Sequence, residues 1–347
     1  LDTRFNKRIL LILAILGVLL VIVFIADLFV GSSKIPATEI FRMLVTGKSD
    51  NQIWATIFFN FRIPKAITAV LAGAALSVSG MQMQTIFRNP LAGPYVLGIS
   101  SGASLGVALL VLGFTSRITN QSIHYFGNWA QIMAAWIGAG LVLFLILAVS
   151  TRVQDIMTIL ILGILFGSAT SAIVSILQYF SHQSMLKAFV IWSMGSLGNL
   201  SKEQLNILVP CIIIGLLFSF MFSKILNALL LGETYAKSLG VNIKLSRIML
   251  FISTSILAGS ITAFCGPIGF IGIAVPHIVR IIMKSANHYY LIPGSLIAGA
   301  IMLLISDIVS LLPGYDTVLP VNSVTALLGI PVVIWIILEN KKISSPD

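Results

Sequence analysis

Two short stretches have residue types and spacing that match known chemistry. GISSG at 98–102 has the G-x-S-x-G spacing that presents a nucleophilic serine, and GKS at 47–49 matches the end of a phosphate-binding loop. A nucleophile elbow needs a strand before it and a His–Asp pair beside it. Ser100 opens an apolar run, and the sequence places no such pair near it. A phosphate cradle needs a glycine five residues ahead of Gly47, where Arg42 stands, so no nucleotide site is expected. His124, His182, His277 and His288 lack metal-ligand spacing. Cys211 and Cys265 both lie in apolar runs, so neither a metal site nor a disulfide framework is expected. The chain reads as a non-enzyme with no cofactor of its own.

Other spacings point to recognition and passage. FRIPKA at 61–66 places Arg62 and Lys65 on one side of a helix start, with proline in its first turn. Such a pair either anchors at the membrane interface or receives acidic groups of an external partner. Gly163, Gly167, Ser171 and Ser175 recur every four residues, widened by Ser168, Thr170 and Ala172. That stripe suits close helix packing, a pathway lining, or both. LLGETYAKSLGVNIKLSR at 230–247 contains a short amphipathic helix closed by Gly240, with Glu233 and Lys237 spaced i,i+4. It is either a simple surface loop or a handle for a soluble partner. FRNPLAGPYVLGISSGAS at 87–104 reads as a turn in which Pro90 and Pro94 stop one helix and Gly98 to Ser104 open the next.

The elements that position these residues follow from composition. The chain is 58% hydrophobic and 9% charged, with mean hydropathy +1.04. A soluble domain carries roughly 25% charged residues, so the expected class is an all-α polytopic membrane protein. Ten apolar runs are candidate spans: 9–30, 64–83, 96–113, 129–150, 156–179, 205–225, 246–265, 268–283, 292–312 and 322–338. The eighth is short and broken by Gly266, Pro267, Gly269, Gly272 and Pro276. With both termini cytoplasmic, thirteen Lys and Arg fall inside and eight outside, five of the eight in the connector 31–65. The net charge of +10 is thus a matter of topology and implies no nucleic acid. LAGAALSVSG at 71–80 echoes LAGSITAFCG at 257–266, and at the same offset Pro90 pairs with Pro276. This suggests an inverted repeat of spans 2–5 on spans 7–10. No buried charged cluster is expected in the spans, since Asp27, Asp307 and His277 sit near span ends.

SGMQMQTIFRNPLAGPYVLGISSGA, preceded by RIPKAITAVLAGAALSVSG, resembles the signature of FecCD-type permeases. GETYAKSLGV, GFIGIAVPHIVR, LIPGSLIAGA and LPVNSVTALLGIPVVIWIIL match later family blocks in order. The resemblance implies one permease domain over 1–347 in the bacterial inner membrane, with a cytoplasmic coupling segment at 230–244. It implies an ATP-driven importer for a ferric siderophore, haem or vitamin B12. A second permease subunit (a homodimer), two ATPase subunits that bind ATP and Mg, and an extracytoplasmic binding protein complete it. Carried over, Gly232, Glu233, Ala236, Leu239 and Gly240 form the coupling helix, and Arg62 and Lys65 the docking pair. Asn89 and Leu91 belong to the inner gate, and the stripe of Gly163, Gly167, Ser171 and Ser175 faces the pathway. Lysine at 65 stands where arginine is frequent, Leu311 and Leu312 stand near a frequent arginine, and Asn322 replaces a usual glycine. An ion-coupled secondary transporter is the alternative, and it calls for intramembrane carboxylates or histidines.

Overall fold

The computed structural model describes residues 3–31, 33–113, 128–153, 155–311 and 318–344; His124, Arg117 and Leu312 lie outside them. Every described element is helical. In chain order they are α1 (Thr3–Phe29), α2 (Ala37–Thr46), α3 (Gln52–Ile86), α4 (Ile99–Gly113), α5 (Asn128–Ser150), α6 (Ile156–Phe180) and α7 (Gln183–Ser193). There follow α8 (Lys202–Met221), α9 (Ser223–Leu230), α10 (Glu233–Ser238), α11 (Ile243–Cys265), α12 (Ile271–Met283), α13 (His288–Ser310) and α14 (Val321–Ser344). Seven are long and apolar enough to cross a membrane, and α4, α12 and the apolar part of α14 are shorter. Together they account for the ten expected spans. The face carrying α10 is called inner, following the charge bias.

Two departures concern helix ends. α3 begins at Gln52, a dozen residues before the expected start of the second span, so Arg62 and Lys65 lie within a helix. Pro64 is tolerated there because the preceding turn is wide: the Ile63 N–H reaches back five residues to the Phe58 carbonyl. Such a turn absorbs the hydrogen bond that proline cannot make. The echoed segments also diverge. Gly80 is mid-helix, whereas Gly266 ends α11 with φ 75°, and Pro90 lies in a turn while Pro276 lies inside α12.

Close packing sets the frame. A Cβ on Gly73 would collide with the carbonyl of Gly299, so α3 and α13 touch backbone to backbone. Gly102 and Gly138 join α4 to α5 in the same way. In lipid, where no hydrophobic drive acts between helices, small residues supply association through contact area. The inner half of α3 adds polar ties. Gln82 donates to Ser219 (2.8 Å) and Ser253 (3.1 Å), and Gln84 accepts from Arg280 (2.7 Å). His288 is buried between Thr85 (2.8 Å) and Asn227 (2.8 Å), a structural pin for α3, α9 and α13.

Candidate functional site

The site begins at the turn between α3 and α4. Arg88 takes φ 47°, Asn89 Oδ1 accepts from the Leu91 N–H (2.9 Å), and Leu91 is exposed. The asparagine therefore holds the turn's shape while the leucine is presented. Pro94–Leu97 form one tight helical turn, and Gly98, at φ 68°, redirects the chain into α4. Ser100 packs as a helix residue, its hydroxyl 3.2 Å from that of Thr262, which leaves nothing of a nucleophile elbow.

The expected short helix is present as α10, followed by Gly240 at φ 82°. Ala236 is buried, and Tyr235 and Leu239 are exposed. Glu233 does not pair with Lys237 as the i,i+4 spacing suggested. It pairs with the buried Arg247 in the second turn of α11, so α10 is fastened to the base of a span. Gly232 has φ 117°, and a Cβ there would lie 2.6 Å from the Arg88 guanidinium, which also donates to the Leu229 carbonyl (3.4 Å). The handle and the α3–α4 turn are thus in direct contact. No local pattern in the sequence announces a contact between residues so far apart.

The α6 stripe divides into a packed part and an exposed part. Gly163 packs against the Val96 carbonyl and Gly167 against Ser101, so these two are packing residues. Ser168, Ser171, Ala172 and Ser175 are exposed, and the Ser168 and Ser175 hydroxyls donate to carbonyls of their own helix. That face is small and weakly polar, with the Ser168 and Ser175 donors already occupied. Asp155 caps the inner end of α6. The Thr158 hydroxyl (2.7 Å) first, then the N–H groups of Thr158 and Met157, hold its carboxyl below the ordinary range.

The outer end corrects two expectations. Arg62 is buried, and it donates to the carbonyls of Leu28 (2.9 Å) at the end of α1 and of Ser33 in the connector beyond it. It is not an open cation. Lys65 pairs with the buried Asp307 of α13 (2.8 Å). With Asp27 of α1 they line a cavity of about 140 Å³, so a buried charged cluster exists where none was expected. The reason is that α3 starts early and carries its cations into the helix bundle, to the depth of the two aspartates. Leu311 lines the same cavity. Asn322, the departure at the start of α14, accepts from the Gly269 N–H (2.8 Å) and braces the irregular entry to α12. His182 is exposed ahead of α7, and no metal-binding group occurs among the described residues.

The model of the FecCD transport family matches residues 19–339. The chain is 35% identical to the hemin transport system permease protein of Yersinia pestis, over 94% of this chain and 96% of that protein. It is 35% identical to the vitamin B12 import system permease protein of Klebsiella pneumoniae, over 94% and 93%. A solved inward-facing metal-chelate type ABC transporter superposes with TM-score 0.79 at 28% identity, covering 94% of this chain and 99% of that one. PsaBC from Streptococcus pneumoniae shares the fold, with TM-score 0.52 over 81% of this chain and 92% of that one. Asp27 and Asp307 are the buried carboxylates that an ion-coupled carrier would need, yet likeness along nearly the whole chain decides against that alternative. This chain is a multi-span membrane protein that belongs to the FecCD transport family.

Proposed function

We propose that the chain is the permease subunit of an ATP-driven importer and forms the pathway for an iron chelate or vitamin B12 at the interface with a second copy of itself. The observation that carries this reading is the contact of Gly232 with Arg88. A cytoplasmic ATPase that grips the exposed Tyr235 and Leu239 moves α10. Through Gly232 and the Glu233–Arg247 pair, that motion reaches both the α3–α4 turn, with Asn89 and Leu91, and the base of α11. ATP and Mg belong to the ATPase, so this chain supplies mechanical coupling only. The exposed face of α6 at Ser171 and Ser175 lines the pathway, where small side chains, the Ser175 hydroxyl already bonded to its own helix, let a bulky ligand slide past without tight binding. With α10 inside, both termini are cytoplasmic and the membrane is the bacterial inner one.

An extracytoplasmic binding protein docks at the outer end. Its acidic groups compete with Asp307 for Lys65, while Arg62 holds α1 in place. The deciding experiment uses the assembled transporter in proteoliposomes. Glu233→Lys sets two cations against each other at the base of α11. Uptake is expected to fall at least about tenfold, the loss of one half-buried charge pair, with ATP hydrolysis retained. Full uptake in this variant would overturn the coupling role of α10.

A further inference from the structure

A second polar cavity lies on the inner side and is only partly explained by coupling. It encloses about 400 Å³ between the α5–α6 turn and the corner joining α10 to α11. Its floor is the buried Arg247 guanidinium, held by Glu233, and its rim carries the exposed Lys237 and Lys244 beside Asn242 and Ser150. Three cations line it against one carboxylate; Asp155, in the field of Arg247, is a second carboxylate close by. Neither lysine has an ion-pair partner among the described residues.

An apolar groove of about 310 Å³ lies outward of this cavity on the same two helices, with α8 as its third wall. On α5, Trp136, Gly140 and Leu143 face the groove and Ser150 faces the cavity, with Leu147 bridging them. The steps of four and three residues keep all five on one stripe. On α11 the corresponding stripe runs from Lys244 through Ile248 and Ile252 to Ser255 and Gly259. The polar cavity and the apolar groove thus lie in line along one seam between α5 and α11. From Gly140 to Ser150 the helix rises about 15 Å, matching the ~15 Å hydrocarbon depth of one leaflet. A Cβ on Gly140 would meet nothing within 4 Å, so the seam is open there.

We propose that this seam binds one anionic phospholipid of the inner leaflet. Its phosphodiester lies among Arg247, Lys237 and Lys244, and one acyl chain lies along Leu143, Gly140 and Trp136. Basic cavities between membrane helices on the cytoplasmic side suit anionic headgroups. A carboxylate of the ATPase would account for the cations but would leave the aligned apolar groove without an occupant; a phospholipid accounts for both. The proposal rests on the inward placement of α10, and not on the cargo or on ATP coupling.

Trp136 supplies the test. The full chain is reconstituted in vesicles holding equal mole fractions of dibromo-acyl phosphatidylglycerol or dibromo-acyl phosphatidylcholine, and the fluorescence lost in Trp136→Phe is taken as its signal. Quenching is expected to be stronger with phosphatidylglycerol. That preference should fall about fivefold in Lys244→Gln, the equivalent of about 1 kcal/mol for one lysine near a lipid surface. Gly140→Leu, which fills the groove from the other end without touching a charge, should also abolish it. Equal quenching by both lipids, or a preference unchanged in Lys244→Gln and in Gly140→Leu, overturns the proposal. Loss of the preference when the ATPase subunits are added assigns the cavity to a partner's carboxylate and overturns it as well.

Discussion

Arg62 donates to the carbonyl of Leu28, a group that α1 leaves without a helical partner where it ends, and to that of Ser33 in the connector beyond. Lys65, one turn further along α3, meets Asp307. Charges buried this deeply are tolerated only as a set, because removing one member strands another. Asp307→Asn is therefore expected to destabilise the protein by about 3 kcal/mol, read as a lower unfolding midpoint in detergent. Replacing Lys65 and Asp307 together by methionine and leucine should restore most of that loss; no recovery in the double variant would argue against a pairwise cause. The two cations stood out in the sequence as a pair, but their direction did not. Asp27 and Asp307 lie far from FRIPKA along the chain, and no periodicity links them. Asn322 was legible only as a departure, and the carbonyl it turns toward the Gly269 N–H depends on a loop from another helix.

Among the helices, the ten apolar runs were readable because each needs about 20 residues of low polarity to cross hydrocarbon. The starts were less readable. Proline at 64 implies a first turn, and only the five-residue reach of the Ile63 N–H places it inside a longer helix. The glycines of α3 and α13 make a sharper prediction. Gly299→Val should cost about 3 kcal/mol through forced separation of two backbones, whereas Gly140→Ala, with open space around its Cβ, should be close to neutral. Thermal unfolding of the two variants side by side separates contact from composition. At the inner end of α6, Asp155 titrates below its ordinary value of 3.8 because it accepts three hydrogen bonds. Its contribution is complete above that ordinary value and is lost as the pH falls through the lower folded value. Fraying of the first turn of α6, followed by amide exchange, should therefore separate wild type from Asp155→Ala at pH 7, and the two should converge in strong acid.

Over the whole molecule, the proposed passage and the packing fall on different faces of the same helix. Cysteines at Ser171 and Ser175 should react with a membrane-impermeant thiol reagent in at least one transport state, while a cysteine at Gly163, which meets the Val96 carbonyl, should stay protected or prevent folding. Complete protection of all three positions would mean that the α6 face is an interface without a pathway. The seam between α5 and α11 and the contact of Arg88 with Gly232 were out of reach of the sequence for one reason: each is made by side chains whose helices are brought together only after all spans pack. The outer charge cluster has a further consequence for how the protein is made. The ribosome delivers Asp27 first, then Arg62 and Lys65, and Asp307 last. Counted as formal charges, the cluster therefore passes from one negative, through an excess of one positive, to zero. While the middle of the chain is being synthesised, α3 holds an unbalanced cation at the end of the bundle opposite α10, and the arrival of α13 discharges it. Charge neutralisation of this kind gives the late span a reason to settle against α3, and makes the order of synthesis part of how the bundle closes.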